Sequence, residues 1–345
     1  MHPLFAVQDN FHYNAAPLDF MHRKRLTILL TFCVSIAIAI AGDKPQLAPE
    51  IFAPGIISTD LDESCGCFSP DGQSFYFVRR GAYTTSPPIS IICFSDFRGG
   101  KWSHPEIASF SGMYLDGSPY FSPDGRRLYF GSKRPAQSSP GGRDWNIWFV
   151  ERTDTGWGEP KEIGGPINTP KNDTNPAVAA DGTFYFASDR DSQPGYLHIY
   201  RARLTNGKYQ LPEKLGTEIN SGDAEINPYI TPDQKILLFG SYRKDNLSGG
   251  GNHYDRADLY VSVNRDGHWM QARHLEHGIN TTASEGNPTM SPDGKWFYFT
   301  SERSPFEIPM KEKLTTASWR DRQRAIENGV GNIYRISAEA LELNR

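Results

Sequence analysis

Short apolar and aromatic runs alternate with turn-forming residues along most of this chain. Five runs of three apolar residues recur at 75–77, 128–130, 184–186, 237–239 and 297–299. Each run is the length of a β-strand and too short for a helix. Gly and Pro, with 32 and 25 copies, separate these runs throughout the chain. The pattern predicts an all-β fold of many short strands.

A four-residue turn motif precedes each aromatic run. It reads Ser-Pro-Asp-Gly at 69–72, 122–125 and 291–294, and two degenerate copies stand at 179–182 and 231–234. Pro fixes φ at the first central position of a type I turn, Asp tolerates the second, and Gly suits the exit. The copies are spaced 53, 57, 52 and 60 residues apart, which suits one four-stranded propeller blade per repeat.

The remaining strands of the blade also repeat. A third strand is predicted around Ile147, Ile199, Leu259 and Ile333, and a fourth begins near a turn of the Gly-x-Trp kind. The last repeat stops after its third strand, while residues 48–52 resemble a fourth strand. We therefore expect a five-bladed β-propeller closed by the N-terminal strand. Residues 304–330 are predicted to form a short helical insertion in the last blade, with the helix at 319–328.

Together these motifs resemble the WD-like propeller repeats of bacterial envelope proteins. The Ser-Pro-Asp-Gly turn, the aromatic run, Ser-x-Arg, the Ile-Tyr strand and Gly-x-Trp-x-x-Pro carry the resemblance over about residues 45–337. TolB-type propellers use a similar repeat, and the linker at 167–169 is similar to repeats found beside OmpA-like domains. The resemblance implies the propeller fold, and it leaves the function open because such repeats serve many roles.

The N-terminal segment has the layout of a secretory signal peptide. Residues 23–25 are basic, residues 26–40 are mostly apolar, and small residues stand at Ala39 and Ala41. We expect cleavage near Ala41, a propeller domain over 42–345, and a periplasmic or extracellular location. The apolar stretch is short for a membrane span, so no stable span is expected after cleavage, although an uncleaved anchor is the alternative. Residues 1–20 precede the basic run, and Met21 is an alternative start.

The charge balance narrows the choice of partner. The formal net charge is −4, and no basic patch of the kind that nucleic acid requires occurs. A protein or glycan partner is expected instead.

An acid stands seven residues before each turn proline or its equivalent. The five acids are Glu63, Asp116, Asp173, Glu225 and Glu285. In a propeller the strand leading into this hairpin is the innermost one, so the acids are predicted to ring the mouth of the central channel.

Two interpretations of this acidic ring remain open. In the structural one, each acid bonds to linker amides or to an arginine that follows the second strand, namely Arg134, Arg190, Arg243 or Arg303. In the functional one, the carboxylates hold a polar ligand or a Ca²⁺ ion. Repetition in every blade favours the structural interpretation, and no cofactor is expected.

Two loops that break the repeat are further candidates for ligand contact. They are residues 244–257, with His253 and Tyr254, and the insertion at 304–330, with Trp319 and Arg320. Loops on a rigid scaffold commonly carry binding.

The absence of known catalytic motifs argues against several enzyme classes. The sequence has no Gly-x-Ser-x-Gly elbow, no His-Glu-x-x-His motif and no phosphate-binding loop. The leading hypothesis is a non-enzymatic binding module or scaffold. A glycoside hydrolase or polysaccharide lyase that uses carboxylates at the channel mouth is the alternative.

Overall fold

Antiparallel hairpins form the inner half of each of five blades. The computed structural model describes residues 47–81, 88–141, 144–222, 224–247, 256–306 and 309–343. The inner strands are Asp62–Phe68, Asp116–Phe121, Asp173–Val178, Glu225–Ile230 and Glu285–Met290. The second strands are Ser74–Arg80, Arg127–Ser132, Phe184–Ser188, Ile236–Ser241 and Trp296–Ser301.

The outer half of each blade continues the antiparallel order. The third strands are Ser90–Arg98, Asn146–Thr153, His198–Ala202, Asp258–Arg265 and Asn332–Ser337. The fourth strands are Glu106–Ile107, Lys161–Glu162, Glu213–Lys214, Arg273–His274 and, in the fifth blade, Glu50–Ile51. The Gly-x-Trp and related turns add short hairpin strands at Lys101–Trp102, Gly156–Trp157, Leu204–Thr205, Lys208–Tyr209 and His268–Trp269.

The Ser-Pro-Asp-Gly motif closes each inner hairpin as the sequence predicts. In the first blade, Ser69 Oγ donates to Asp71 Oδ1 at 2.5 Å, and the Gly72 amide donates to the Ser69 carbonyl at 2.8 Å. Gly72 has φ 70°, a left-handed conformation that glycine adopts without strain. The five turns place one end of every inner strand on the same face, which we call the turn face.

The N-terminal strand closes the ring as predicted. Ile51 pairs with Tyr334 of the fifth blade, and the Phe52 amide donates to the Ile333 carbonyl at 2.8 Å. Phe52 then packs between blades, with its ring centroid 4.9 Å from Tyr298 and 5.1 Å from Phe75. The closure therefore combines a sheet edge with a buried aromatic anchor.

The hydrophobic core is divided among the five contacts between blades. Each cluster joins two neighbouring blades, as where Phe75 and Phe77 meet Tyr298 and Ile333. Every one of the five clusters contains at least one fully buried aromatic residue of a second strand.

The insertion in the last blade is helical, but its bounds differ from the prediction. The helix is Thr316–Gln323, and a 3₁₀ turn, Ala338–Leu341, follows the last strand. The helix starts three residues earlier than predicted because Thr315 caps it: its hydroxyl accepts from the Ser318 amide, and Ser318 Oγ accepts from the Thr315 amide. In the described part of the chain, no helix has the length and apolar character needed to span a membrane.

Candidate functional site

The five repeated acids are the first or second residues of the inner strands, on the face opposite the turns. All five are fully buried, with an exposed fraction of 0% for Glu63, Asp116, Asp173, Glu225 and Glu285. Burial of an ionised carboxylate is tolerated only where hydrogen bonds and countercharges surround it. Their partners therefore decide what these side chains can do.

The third blade shows the arrangement that recurs. Thr169 donates to Asp173 Oδ2 through its amide and its hydroxyl, both at 2.7 Å. Ser188 Oγ donates to Oδ1 at 2.6 Å, and Arg190 Nη2 donates to the same oxygen at 2.7 Å. The carboxylate thus links its own strand to the preceding linker and to the second strand.

The predicted arginines pair with these acids in three blades. Arg134, Arg190 and Arg303 lie 3.0, 2.7 and 3.6 Å from Asp116, Asp173 and Glu285. Arg243 instead donates to Ser241 Oγ and to the Ile219 carbonyl.

The fourth blade uses a histidine at the acid. His198 Nδ1 lies 3.1 Å from Glu225 Oε2, and the Gly222 amide donates to Oε1 at 2.6 Å. Ser241 Oγ also donates to Oε1, at 3.1 Å, as the equivalent serines do in the second, third and fifth blades. Both oxygens of Glu225 are therefore bonded to the surrounding blade.

In the first blade, a different residue pairs with the buried acid. Arg79 occupies the position of the serine in Ser-x-Arg, and its Nε donates to Glu63 Oε1 at 3.0 Å. Gly81 stands where the other blades have arginine. Arg79 therefore combines the roles that a serine and an arginine share elsewhere.

Burial also affects the protonation of these acids. It raises the pKa of Glu63, Asp173 and Glu285, against the lowering effect of their threonine and arginine partners. Their bonds support the structural interpretation of the acidic ring.

A funnel-shaped cavity of about 640 Å³ opens on the face of the acids, and all five blades line it. We call it the funnel, and its side of the molecule the funnel face. Its walls come from residues that flank the five repeated acids. Of those five acids, Glu285 alone is among the described residues that line the cavity. The residues directly after the acids all contribute: Ser64, Gly117, Thr174, Ile226 and Gly286. The middle residue of Ser-x-Arg, or its equivalent, contributes in four blades: Arg80, Lys133, Tyr242 and Glu302.

The funnel is chemically asymmetric. Asp62, Arg80 and Glu302 form a charged sector at the seam between the first and fifth blades. Leu197, Ala224, Ile226, Tyr242 and Ala257 form a less polar sector on the third and fourth blades. The arrangement suits a ligand with a charged part and an apolar part.

A polar ring on the propeller axis forms the floor of the funnel. The second residue after each acid has φ between 50° and 54°, at a bulge in every inner strand; the residues are Cys65, Ser118, Asn175, Asn227 and Asn287. Cys65 Sγ donates to Asn287 Oδ1 at 2.9 Å, and Asn175 Nδ2 donates to Ser118 Oγ at 2.7 Å. Below the ring, Tyr120 Oη donates to the Ile230 carbonyl at 3.0 Å and narrows the channel.

The rim of the funnel face carries exposed apolar side chains. Linkers and loops between second and third strands meet on this face, and they present Leu61, Ile89, Met113, Tyr114, Leu247 and Trp319 to solvent. Trp319, a predicted contact residue, is 50% exposed on the inserted helix, and Arg320 beside it is exposed. The predicted contacts His253 and Tyr254 lie outside the described residues.

Reasoning from the sequence missed most of the funnel wall. It selected residues that repeat in every blade, and the structure buries those residues in blade contacts. Asp62, Arg80, Tyr242 and Glu302 differ from blade to blade. The available clue was the variable residue inside the repeated Ser-x-Arg motif.

Ca²⁺ binding by the acidic ring stays an untested alternative. Among the described residues, no three His, Cys, Asp or Glu side chains are grouped so that they could hold an ion.

The known proteins that resemble this chain differ in activity. No family model matches the sequence. A curated relative, the uncharacterized peptidase YuxL of Bacillus subtilis, is 26% identical over 204 residues, which cover 53% of this chain and 29% of the peptidase. The chain thus matches less than a third of that protein's length.

Solved structures similar to this one include a TolB and a glycosidase. TolB from Acinetobacter baumannii is 16% identical with a TM-score of 0.44, over 80% of this chain and 54% of TolB. An α-L-arabinofuranosidase from Lactobacillus brevis is 13% identical with a TM-score of 0.47, over 81% of this chain and 90% of the enzyme. The chain is a five-bladed β-propeller with TolB-type propeller proteins among its structural neighbours.

Proposed function

We propose that the protein is a non-enzymatic binding module whose funnel receives an extended segment of a protein partner. The observation that carries the proposal is the funnel itself, a cavity that all five blades line with residues that differ between blades. A rigid ring of repeats supports such a site, and the variable side chains supply specificity.

The apolar rim favours a protein over a glycan. Met113 is 83% exposed, and Leu61, Ile89 and Trp319 are each about half exposed on the same face. Apolar side chains gathered around a polar cavity are typical of protein interaction sites. A partner segment would enter the funnel while its flanking surface covers the rim.

The site of action we propose is the periplasm or the extracellular space. This proposal rests on the basic, apolar and small-residue pattern of residues 23–41.

Photo-crosslinking in cells of the source organism tests the proposed function. A benzophenone amino acid replaces Tyr242 in the funnel wall or, in a second strain, Lys235 on the turn face. Tyr242 lines the funnel, whereas Lys235 belongs to the opposite end of its blade. We expect a discrete protein adduct from position 242 that is absent from position 235.

Other results would change the conclusion. A carbohydrate adduct at position 242 would replace the protein partner with a glycan. Adducts confined to position 235 would move recognition to the turn face and contradict the proposal.

A further inference from the structure

We infer that the charged sector of the funnel binds a primary ammonium group, carried by a lysine side chain of the partner segment. The inference rests on the proposed function, and it names the chemistry that the funnel selects. It follows from the residues at the seam between the first and fifth blades.

The seam brings side chains of two blades together around a glycine. A Cβ atom on Gly331 would lie 2.7 Å from Asp62 Oδ1 and 3.2 Å from Thr300 Cγ2. Glu302 follows Thr300 by two residues and lines the same cavity as Asp62. Burial, and after it the negative charge of Asp62, raises the pKa of Glu302. A side chain at position 331 would collide with Asp62, so the glycine lets the two blades approach closely here.

The seam's lining carries more negative than positive charge. Asp62 and Glu302 contribute two carboxyls, and Arg80 Nη1 lies 4.0 Å from Asp62 Oδ2. The third carboxyl there, Glu285, is bonded to Thr281, Ser301 and Arg303. Arg256, which also acts on Glu302, donates to the Thr282 carbonyl and is not part of the lining.

Two buried hydroxyls in the same wall provide an independent indication of a ligand. Ser64 is 1% exposed and Thr300 is 7% exposed, and both line the funnel. Neither Ser64 Oγ nor Thr300 Oγ1 has a hydrogen-bond partner within the described residues. Buried polar groups are nearly always bonded, so these hydroxyls are suited to meet a ligand.

An ammonium group fits this set better than a metal ion or an anion. It has three N–H donors, which two carboxylates and a hydroxyl can accept. Ca²⁺ prefers about six to eight oxygen ligands, and the described residues contain no group of three His, Cys, Asp or Glu side chains that could hold a metal ion. An anion would face Asp62 and Glu302.

Binding of two small peptides to the full chain tests the inference. The probes are Gly-Lys-Gly, acetylated and amidated at its ends, and the same peptide with its lysine acetylated. We expect the charged peptide to bind at least about tenfold more tightly in an NMR titration, because charge-assisted hydrogen bonds are the stronger class.

Two variants that remove charges of opposite sign make the test more specific. Glu302→Gln should weaken the charged peptide about tenfold, and Arg80→Gln should tighten it about threefold, because each changes the charge facing the ammonium by one unit. The control Glu276→Gln alters a side chain that is 69% exposed outside the funnel and should change nothing. Unchanged melting midpoints establish that the variants are folded.

Several outcomes would overturn the inference. Equal binding of the two peptides, no response to Glu302→Gln, or no binding of either peptide would each do so. If Tyr242→Ala weakens both peptides equally, the funnel remains a peptide site without ammonium selectivity. Tighter binding of glucosamine than of the charged peptide would remove the assignment to lysine. The crosslinking experiment decides the proposed function separately.

Discussion

The two ends of the inner strands carry the same kind of residue in opposite environments. On the turn face, Asp124 is exposed and accepts from Ser122 Oγ at 2.6 Å and from the Arg126 amide at 3.0 Å. On the funnel face, Asp173 is fully buried and bonded to Thr169, Ser188 and Arg190. At both ends of the inner strands, the acid that recurs in every blade therefore has a structural role.

The two faces differ in the residues beside those acids. The turn face ends in an apolar cavity of about 260 Å³ rimmed by four turn prolines, Pro70, Pro123, Pro232 and Pro292. On the funnel face, one equivalent position holds Arg80, Lys133, Asp189, Tyr242 and Glu302. At this position the funnel face offers both signs of charge and an aromatic side chain, which supports recognition there.

Removing a buried acid should have the largest effect on stability. We expect Asp173→Ala to lower the free energy of unfolding by about 3–5 kcal/mol, because it leaves the Arg190 guanidinium buried without its carboxylate. Asp124→Ala on the turn face should cost about 1 kcal/mol. Urea unfolding of both variants measures the difference, and equal costs would contradict the distinction between the two faces.

The first blade allows a test of how its acid is compensated. Arg79→Ser should lower the free energy of unfolding by about 2–3 kcal/mol, because Glu63 loses its guanidinium partner. Adding Gly81→Arg restores the Ser-x-Arg motif of the other blades, so the double variant should recover part of that loss. Arg98→Ser, which alters an 83% exposed side chain, is the control. Failure of the double variant to recover would show that the first blade uses a different arrangement.

The two faces should also respond oppositely to pH. The Ser122 hydroxyl and the Arg126 amide hold the pKa of Asp124 below its ordinary value of 3.8. Its stabilising contribution is therefore present above 3.8 and lost as the pH falls through the folded pKa. Burial raises the pKa of Asp173 above 3.8 despite Arg190. Its contribution is fully present below 3.8 and lost as the pH rises through the folded pKa.

Asparagine variants make this contrast measurable. The loss in the free energy of unfolding caused by Asp124→Asn should become smaller as the pH falls below 3.8. The loss caused by Asp173→Asn should become smaller as the pH rises above 3.8. Urea unfolding at several pH values follows both. Parallel slopes for the two variants would be inconsistent with these opposite pKa directions.

Calcium should have the smallest effect. We expect neither Ca²⁺ nor EDTA to move the melting midpoint, because the acids already bond to threonine, serine, arginine and histidine side chains or to backbone amides. A Ca²⁺-dependent shift that Glu285→Gln abolishes would instead make the acidic ring a cation site.

The sequence predicts the scaffold well because turns and strands depend on local chemistry. Pro70 and Gly72 determine a turn within four residues, and the recurrence of that turn gives the blade count. The prediction that the inserted helix starts at residue 319 was wrong because it overlooked the capping contribution of Thr315 and Ser318. The role of Arg79 and the meeting of Asp62 with Glu302 depend on contacts between strands or blades, which spacing along the chain does not reveal.

The central claim is that recognition takes place on the funnel face. Its most direct test is the affinity of the crosslinked partner for two variants of the full chain, Tyr242→Arg in the funnel and Lys235→Glu on the turn face. The account predicts a loss of at least about thirtyfold for Tyr242→Arg, because a buried aromatic contact at an interface commonly contributes about 2 kcal/mol or more, and no change for Lys235→Glu. Unchanged affinity of the folded Tyr242→Arg variant, with loss in Lys235→Glu, would contradict it.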